Sequence, residues 1–569
     1  MQTPRGSWIA GGELQRECER VRRLGSLGEI LAEQVCRRPD HPALTDGRRA
    51  YTFGEAEGRA CALAARLRHL GVRRGDRVLV LAEKCCEIVI AAIGIWKAGA
   101  AYAPLDTGSP PRRLQMLFES IAPRLVIGSA ELLGQHAAIT GDTPAISFEE
   151  IGALAAGAGE AEVPRRAAAS DDIAYILHTS GSSGVPKGVV MEHGAVLAYF
   201  AGHNLVLGFA EGCRCLNNAP FHFDVSIQDT FLPLAFGARV HLTRGMPIGP
   251  VLLKQIEKER ITHLVAVVTV LAIITGDGAR LARTDLSALK IVMTGAEVCD
   301  VKTIHAWLRH APGVRVINGY GPTEANSISL TYAIDRIEED RARFYPIGRP
   351  LHTATALLVD EADRPISTPG VVGELWIGGP QLMRGYWQLP QETQRALVYH
   401  EGERYYRTGD LCHLDEAGEY HFDGRRDAQV KLAGRRIHLT EIEQALLSHP
   451  AVKSAVVGLV PDGGRSFLVA LVTPAAPAGV AELRAIRQFV AERLPEYMVP
   501  AHLALYEETV VSATGKTDRR RLLEVLGEAI RRSPTEYYVL ERGLACRPLR
   551  VRAGAPALAA VPEATHDAG

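Results

Sequence analysis

The sequence predicts an α/β protein, and three features of the chain indicate that class. Between residues 30 and 127, helical runs such as AEGRACALAARLRHLGV alternate with short apolar runs such as RVLVL, as in strand–helix units of mostly parallel sheets. The alternation resumes in ARVHL, THLVAVV, LKIVMTG and VRVINGYG. After residue 387 the apolar runs become shorter and more β-like, and near Asp427 they give way to a small α+β segment.

Composition divides the chain into four predicted segments. They are a polar, charged N-terminal extension (1–24), a main domain (25–426), a small C-terminal domain (427–532) and an Ala- and Pro-rich mobile tail (533–569). Within the main domain, the small, polar, non-periodic stretch 153–170 is predicted to be a surface linker. In the C-terminal domain a helix is predicted to begin at Thr440, because Glu443 completes a capping box three residues later.

Charge and hydropathy exclude several classes of protein. The 64 Lys and Arg residues almost balance 65 Asp and Glu, so no basic field suggests nucleic acid or an anionic membrane as a partner. The longest apolar runs, 88–96 and 264–268, fall short of the ~20 residues that cross a membrane. The N-terminus lacks the apolar core of a secretory signal, and the ten cysteines show neither C-x-x-C nor zinc-site spacing. We therefore expect a cytoplasmic protein with free thiols that acts on small molecules or proteins.

The stretch HTSGSSGVPKG (178–188) has the composition of a phosphate-binding loop. Its glycines let backbone N–H groups approach phosphate oxygens, its hydroxyls add donors, and Lys187 adds a positive charge. It is not a Walker loop, because Pro186 precedes the lysine and Gly188 opens a second apolar run rather than a helix. On its own the stretch fits a nucleotide site and a plain turn between strands equally well.

Three predicted strands end in glycine-bearing loops, in YILHTSGSSG, VMTGAE and INGYGPTE. Ligands of open α/β sheets bind beyond the carboxyl ends of the strands. We therefore expect these three loops to converge on one cleft.

Nine motifs, in order along the chain, resemble those of the adenylate-forming superfamily of acyl-adenylate synthetases and firefly luciferase. They are WKAGAAYAPLD (96–106), HTSGSSGVPKG (178–188), FHFDVS (221–226), NGYGPTE (318–324), GELWIGG (373–379), YRTGDL (406–411), GRRDAQVKLAGRRIHLTEIE (424–443), LPEYMVP (494–500) and TGKTD (514–518). The resemblance covers about residues 25–530 and is strongest to stand-alone amino-acid adenylation domains of nonribosomal peptide synthetases.

The resemblance implies a fold and a reaction. The fold would be a large N-terminal domain of mixed sheets flanked by helices, with a small β subdomain, followed by a small mobile α+β C-terminal domain. The reaction would use ATP and Mg²⁺ to convert a carboxylate into an acyl-adenylate and pyrophosphate, and would then pass the acyl group to a thiol. Such chemistry requires positioning and charge neutralisation more than covalent work by the protein.

The resemblance assigns nucleotide-binding roles to two motifs. The loop that holds the β and γ phosphates would contain Thr179, Ser180, Gly181, Ser182, Ser183, Gly184 and Lys187. In NGYGPTE, Tyr320 would stack on adenine, Asn318 would lie at the adenine edge, Thr323 near the α-phosphate, and Glu324 would bind Mg²⁺; Gly319 and Gly321 complete the set. Without the other motifs, a Gly-Pro turn with a solvated glutamate would be the alternative for this stretch.

Four further residues receive roles from the resemblance. Asp410 would hold both ribose hydroxyls, Arg425 would contact the ribose or a phosphate, and Lys516 would be the catalytic lysine between the substrate carboxylate and the α-phosphate. Asp427 would be the hinge of the C-terminal domain. The alternatives are a turn residue for Asp410 and Asp427, and a solvated surface charge for Arg425 and Lys516.

Asp224 indicates an amino-acid substrate, because it matches the aspartate that binds the substrate amino group in amino-acid-activating members. A helix N-cap is the alternative role. The other expected pocket residues are all uncharged: Val225, Gln228, Val265, Met293, Gly295, Gly319, Ser327 and Ile328. An uncharged side chain of small to medium size is therefore predicted, on an α- or a β-amino acid.

The expected thiol acceptor is the phosphopantetheine of a separate carrier protein. The stretch after Lys516 is too short for a carrier domain, and its Ser533 does not match the carrier serine. The carrier is expected to dock partly on residues 435–443. The resemblance implies that the reaction belongs to secondary-metabolite (antibiotic) biosynthesis. Thr440 and His438 depart from the residues usual in this motif, on the face that would be presented to the thiol. The alternatives are an acyl- or aryl-CoA synthetase of the same fold, a non-catalytic binding protein, and a P-loop NTPase, which the loop spacing excludes.

Overall fold

The computed structural model divides into two compact units, residues 1–441 (unit 1) and 442–569 (unit 2). Mixed helices and strands in both units confirm the predicted α/β class, with a large and a small unit. The structure describes residues 11–157, 168–180, 186–245, 249–276, 278–297, 299, 301–311, 313–339, 341, 344–426, 429–462, 465–476, 478–506, 519–540 and 546–549.

The strands of unit 1 arise mostly where short apolar runs occur in the sequence. In chain order they are β1 (Pro42–Thr45), β2 (Ala50–Thr52), β3 (Arg77–Leu81), β4 (Ala101–Pro104), β5 (Leu125–Gly128), β6 (Ala145–Ser147), β7 (Ile173–Thr179), β8 (Lys187–Glu192), β9 (Arg214–Asn217), β10 (Arg239–Leu242), β11 (His263–Val265), β12 (Ile291–Gly295), β13 (Arg315–Tyr320), β14 (Leu330–Ile334), β15 (Arg349–Pro350), β16 (Thr355–Val359), β17 (Gly373–Gly378), β18 (Gly385–Tyr386), β19 (Leu397–His400), β20 (Glu403–Leu414), β21 (Tyr420–Arg425), β22 (Gln429–Leu432) and β23 (Arg435–His438).

The helices of unit 1 include the long periodic run that follows β2, which begins with a capping box between Thr52 and Glu55. In chain order the helices are α1 (Gly11–Arg22), α2 (Ile30–Val35), α3 (Phe53–His69), α4 (Cys86–Ala98), α5 (Pro111–Ile121), α6 (Ala130–Gln135), α7 (Ala137–Thr140), α8 (Phe148–Gly157), α9 (His193–Leu207), α10 (Leu232–Ala235), α11 (Gly249–Lys258), α12 (Val268–Thr275), α13 (Val301–His310) and α14 (Pro390–Ala396).

Two large sheets of unit 1 have parallel centres, with antiparallel strands at both edges of the first and at one edge of the second. One has the strand order β15-β14-β13-β12-β11-β9-β10-β1-β2, and the other has the order β18-β8-β7-β4-β3-β5-β6. Strands β9 to β13 run parallel within the first sheet, whereas β14 and β15 are antiparallel to their neighbours. Strands β16, β17, β19, β20 and β21 form a separate antiparallel sheet, the small β subdomain that the resemblance implied.

Helix α4 contains the longest uninterrupted apolar run of the sequence and lies inside the core. Every residue from Cys86 to Ala98 except Lys97 is buried. A helix that is apolar on all sides is buried by the rest of the protein or by a membrane, and here the first applies. No helix within the described residues is long and apolar enough to span a membrane.

Two stretches of unit 1 are more ordered than their composition suggested. Helix α1 lies within the predicted polar extension, yet its Leu14, Cys18 and Val21 are buried in the main core, because they share one face of the helix. Helix α8 covers the first residues of the predicted linker, so that prediction is wrong up to Gly157. Residues 158–167 of the same stretch lie outside the described residues.

Unit 2 is built on a five-stranded sheet with the order β24-β25-β26-β27-β28. Its strands are β24 (Val452–Asp462), β25 (Arg465–Pro474), β26 (His502–Tyr506), β27 (Tyr537–Leu540) and β28 (Cys546–Pro548), with helices α16 (Val480–Ala491) and α17 (Arg519–Arg532). Helix α15 (Leu439–Leu447) contains the unit boundary and begins one residue before the predicted Thr440.

Strands β27 and β28 lie where the sequence predicted a mobile tail, and that prediction is wrong for residues 537–540 and 546–548. Strand β27 pairs in parallel with β26, and β28 pairs antiparallel to β27. All four residues of β27, Tyr-Tyr-Val-Leu, are buried. This short aromatic and aliphatic run has strong strand propensity, which the Ala- and Pro-rich residues after it obscured.

Candidate active site

The end of strand β13 carries the central motif of the site. Asn318 and Gly319 pair with Thr294 and Gly295 at the end of β12. Asn318 is fixed by donation from its side-chain amide to the Pro346 carbonyl oxygen, at 2.7 Å. The expected convergence of these two strand ends is therefore observed.

The chain after Tyr320 folds back on itself at once. A Cβ atom at Gly321 would lie 2.4 Å from the Ser327 carbonyl oxygen, so no larger residue fits there without rearrangement. The Ser329 amide donates to the Tyr320 carbonyl oxygen at 2.7 Å and closes the turn. This fold places Glu324 inside the unit, where 2% of the residue is exposed.

Glu324 is held by two side chains from distant parts of the sequence. The Tyr386 hydroxyl donates to its Oε1 at 2.7 Å, and the Arg436 guanidinium contacts Oε1 and Oε2 at 2.8 and 2.7 Å. Burial acts to raise the pKa of Glu324, but the charge of Arg436 and the tyrosine hydrogen bond outweigh it, so the pKa lies below its ordinary value. Glu324 is therefore an ionised carboxylate in the cleft.

Asp410 is fixed by the register of strands β20 and β21. Arg425 is its cross-strand partner, and the guanidinium donates to Asp410 Oδ1. The Tyr320 hydroxyl donates to Oδ2, and a bulge follows directly, where Asp423 of β21 is the extra residue opposite Leu411 and Cys412. The structure thus brings three of the predicted nucleotide-binding residues into direct contact.

Asp224 lies beside the same cleft, in the turn before a π-helical segment (Ile227–Phe231). Burial raises the pKa of Asp224, and the nearby charge of Glu324 adds to this, while a hydrogen bond to Thr323 and the charge of Lys431 act in the opposite direction. A positive charge close to a buried carboxylate stabilises its ionised form. A cationic group of a ligand would supply it.

Most of the predicted pocket residues contact one another. The Gln228 amide donates to the Met293 sulfur at 2.9 Å, and Val265 pairs with Met293 in the neighbouring strand. A Cβ atom at Gly319 would lie 2.4 Å from Met293 Cε and 2.9 Å from Ile328 Cδ1, so these side chains close over the glycine. The remaining three positions are Gly295, which packs on the Gly319 backbone, Val225, which packs against the core, and the buried Ser327.

The predicted phosphate loop joins the antiparallel strands β7 and β8, with Thr179 paired to Lys187. Lys187 Nζ lies 2.6 Å from Glu392 Oε2 and 5.2 Å from the centre of the Tyr386 ring. The Ser180 hydroxyl donates to the Arg436 carbonyl oxygen at 2.6 Å, which links this loop to the Glu324 site. Gly181, Ser182, Ser183 and Gly184 lie outside the described residues, as do Asp427 and Lys516.

A β-hairpin formed by β22 and β23, residues 429–438, covers the cleft. Its Arg436 binds Glu324, Lys431 Nζ lies 5.4 Å from the centre of the Tyr320 ring, and Arg435 lies 5.1 Å from the centre of the Phe223 ring. His438, one of the two departures from the motif, contacts the Gln429 amide across the hairpin at 2.5 Å.

Sequence reasoning did not identify Arg436, Tyr386 or Lys431 as site residues. Arg435 and Arg436 stand in a basic turn, which by itself resembles a solvated surface segment. Tyr386 follows the GELWIGG motif in a run without any charge pattern. The only signal for Arg436 and Lys431 in the sequence was their position inside the motif of residues 424–443.

Comparisons with known proteins agree with this geometry. A family model described as AMP-binding enzyme matches residues 31–387, and a model described as AMP-binding enzyme C-terminal domain matches residues 441–516. Tyrocidine synthase 3 from Brevibacillus parabrevis is 34% identical over 87% of this chain, and bacitracin synthase 1 from Bacillus licheniformis is 33% identical over 88% of it. The chain spans only 8% and 9% of the lengths of these two proteins.

Solved structures with similar folds include an artificially fused adenylation–PCP di-domain from Klebsiella oxytoca, NpsA-ThdA. Its TM-score is 0.74 at 24% identity, over 84% of this chain and 93% of that one. Holo-PA1221, described as an NRPS protein with adenylation and PCP domains, has a TM-score of 0.76 at 25% identity, over 89% and 85% of the two chains. The o-succinylbenzoate CoA synthetase of Bacillus subtilis has the same TM-score, 0.76, at 23% identity, over 87% and 98%.

Proposed function

The chain belongs to the family of AMP-binding enzymes, and from that membership we propose that it activates an amino acid with ATP and transfers it to a carrier-protein thiol. The family consists of adenylate-forming ligases that use ATP, and this chain is related to the adenylation modules of nonribosomal peptide synthetases. The products of the first step would be an aminoacyl-adenylate and pyrophosphate. The substrate would be an α- or β-amino acid with an uncharged side chain of small to medium size.

The observation that carries the amino-acid part of the proposal is Asp224. Its carboxylate lies near Glu324, and burial together with this second carboxylate raises its pKa. A substrate ammonium group would compensate this charge, whereas an acid without an amino group would leave Asp224 without compensation. The apolar contacts of Met293 and Ile328 over Gly319 favour a side chain of limited size.

The nucleotide would be held chiefly by Asp410 and Tyr320. Because Tyr320 and Arg425 each hold one oxygen of Asp410, the carboxylate has a fixed orientation for two ribose hydroxyls. The ring of Tyr320 would stack on adenine, and Asn318 would lie at the adenine edge. Lys431 Nζ lies 5.4 Å from the centre of this ring, so adenine that stacks on the same face would require the hairpin to shift.

Glu324 fits a magnesium ion, since Mg²⁺ in nucleotide sites is usually held by one or two carboxylates together with substrate phosphates. Tyr386 already orients one of its oxygens. Bound Mg²⁺ would neutralise charge on the triphosphate. Thr323 would contact the α-phosphate, and Lys187 would exchange Glu392 for phosphate oxygens. We propose that the positive charge of Lys516 stabilises the negative charge on the substrate carboxylate and on the α-phosphate during adenylation.

The acceptor would be the phosphopantetheine thiol of a carrier protein, supplied as a separate molecule, in the assembly of a peptide-type secondary metabolite. The names of the similar proteins support this acceptor, because two similar structures contain adenylation and PCP domains together. Residues 435–443 would form part of the docking surface, and Asp427 would be the hinge that exposes it.

A pyrophosphate-exchange assay tests the proposal. The purified chain, with Mg²⁺ and ATP, is offered a panel of α- and β-amino acids and the matching acids without amino groups. We expect exchange with one or a few uncharged amino acids and none with the deaminated acids. The activated amino acid is then offered to a phosphopantetheinylated carrier protein and to coenzyme A. Exchange with the deaminated acids, or acylation of coenzyme A alone, would instead identify an acyl- or aryl-CoA synthetase.

A further inference from the structure

The segment between Glu324 and Ser329 has an unusual backbone. Asn326 and Ser327 both adopt left-handed conformations, with φ values of 60° and 73°. Residues with a side chain rarely adopt this conformation, and two in succession persist only where surrounding contacts hold them. The segment joins the proposed Mg²⁺ ligand, Glu324, to the pocket residues Ser327 and Ile328. Whatever holds it therefore positions both parts of the site.

The side chain of Gln381 makes three contacts to this segment. The residue is completely buried, and its Nε2 lies 3.1 Å from the Ala325 carbonyl oxygen, 3.3 Å from the Ile328 carbonyl oxygen and 2.9 Å from the Ser329 hydroxyl. These three acceptors flank the two left-handed residues on either side. At the other end of the amide, Oε1 accepts a hydrogen bond from Thr353 at 3.3 Å.

The backbone around Gln381 adds two further bonds to the same segment. The Asn326 side-chain amide donates to the Gln381 carbonyl oxygen at 2.7 Å, and the Met383 amide donates to the Glu324 carbonyl oxygen at 2.8 Å. The remaining end of the Asn326 side chain accepts from the Tyr175 hydroxyl at 2.7 Å. Residues 381–383 therefore contact the Glu324–Ser329 segment along its whole length.

We infer that Gln381 is a positioning residue that fixes the position of Glu324 relative to the amino-acid pocket. It touches neither ligand in this assignment and acts through the backbone of residues 325–329. The inference rests on the proposed function, because it takes Glu324 as the cation ligand and Ser327 and Ile328 as pocket residues. When the amide is lost, both sites should weaken together, although they bind different molecules.

The test compares two variants of the full chain. Gln381→Met keeps the length of the side chain and removes its donors, whereas Thr353→Val removes only the bond to Oε1. In the exchange assay with the preferred amino acid, we expect Gln381→Met to raise the KM for the amino acid and for MgATP by about 10-fold each. Thr353→Val should stay within about 2-fold of the wild type. A residue with a merely structural role would lower the active fraction and the melting temperature while leaving both KM values unchanged, and that result would overturn the inference.

Hydrogen–deuterium exchange provides a readout that needs no substrate. In Gln381→Met, the backbone amides of residues 325–329 should exchange with solvent faster than in the wild type, while the amides of α4 stay protected. If Gln381→Met does not fold, Ser329→Ala removes one of the three acceptors and should change the same KM values and amides in the same direction by a smaller factor. Wild-type protein that exchanges pyrophosphate with no acid overturns the proposed function. Unchanged exchange of residues 325–329 in the variant overturns the role of Gln381.

Discussion

Arg436 and Glu324 show how the chemistry of the site depends on single residues. The pair is largely buried, with exposed side-chain fractions of 16% and 2%. A buried carboxylate tolerates its charge only while a partner compensates it. A divalent cation at Glu324 would supply that compensation as well, so the guanidinium and the cation compete for the same oxygens.

Arg436→Met should therefore change the response to Mg²⁺. Without the cation, loss of the partner should lower the free energy of unfolding by about 3 kcal/mol, because Glu324 is left buried and unpaired. Added Mg²⁺ should recover more stability in the variant than in the wild type, and half-maximal pyrophosphate exchange should need several-fold less Mg²⁺. Thermal unfolding with and without Mg²⁺, and a Mg²⁺ titration of exchange, measure these effects.

Arg435→Met is the matched control, because it changes the neighbouring arginine, which lies over the Phe223 ring rather than at Glu324. It should leave the Mg²⁺ requirement as in the wild type. If Arg436→Met and Arg435→Met show equal Mg²⁺ dependence, the competition for Glu324 does not exist.

Asp224→Asn should make the ligand-free protein more stable at neutral pH. Burial raises the pKa of Asp224 above its ordinary value of 3.8, so the folded protein binds this proton more tightly than the unfolded chain does. The ionised carboxylate thus costs stability at pH 7, and the variant should gain on the order of 1 kcal/mol. The gain should shrink as the pH falls through the raised pKa, and disappear below 3.8, where both states are protonated.

Denaturant unfolding at several pH values checks this sign, and pyrophosphate exchange should be lost in the same variant. A variant that is less stable than the wild type at pH 7 would show that Asp224 is stabilised by its neighbours rather than strained by burial.

At the scale of secondary structure, the sequence predicted elements whose signal is local. Strands β7, β12 and β13 and helix α3 follow from apolar periodicity, and their boundaries match closely. The strand β27 was missed because four residues give little periodicity and their partner β26 is distant in sequence. Among site residues, Asp410, Tyr320 and Glu324 were identified by motif, but their contacts were not. The bonds from Arg436 and Tyr386 to Glu324 join residues far apart in the chain, and no local pattern encodes them.

The hairpin of residues 429–438 depends on its turn. Ala433 and Gly434 both have positive φ, 52° and 74°, as two-residue hairpin turns with right-handed strand twist require. A Cβ atom at Gly434 would lie 2.5 Å from Val267 Cγ1. The turn is therefore fixed both by its own backbone and by its contact with the segment after β11.

Gly434→Ala should displace the hairpin and so weaken the ion pair between Arg436 and Glu324. We expect a loss of about 1–2 kcal/mol in the free energy of unfolding and a Mg²⁺ requirement that moves in the same direction as in Arg436→Met. Gly418→Ala is a suitable comparison, because Gly418 also has positive φ (77°) but meets no neighbouring atom. It should cost stability without altering the Mg²⁺ requirement. If Gly434→Ala leaves the Mg²⁺ requirement unchanged, the turn does not influence the Glu324 site.

At the scale of the whole molecule, each unit has its own hydrophobic core. The main core of unit 1 includes α3 and α4, and the core of unit 2 includes residues of β24 to β27 and α17. The cysteines lie partly in the interior of these units and partly at the surface. All ten belong to the described residues and have free thiols; Cys36 is exposed, Cys61 and Cys546 are partly buried, and the other seven are buried.

Thiol titration should report that burial directly. In the native protein Cys36 should react quickly with a thiol reagent, and Cys61 and Cys546 slowly, because burial raises the pKa of each of these two thiols to about 11. All ten cysteines should react after unfolding in denaturant. Cys36→Ser should remove the fast phase. Several fast-reacting thiols in the native variant would mean that the cores open on the time scale of the reaction.

The pairing of Asp410 with Arg425 has a consequence for how this protein can vary. Side chains on a strand alternate between faces, so a slip of one residue between β20 and β21 would turn Arg425 away from Asp410. The bulge at Asp423 of β21 already introduces one such offset. Substitutions in these two strands leave their register in place, whereas a residue inserted into β20 after Asp410, or into β21 before Arg425, would shift the register and separate this pair without changing either residue. The number of residues in these strands therefore matters more to the contact between Asp410 and Arg425 than the identity of their other side chains.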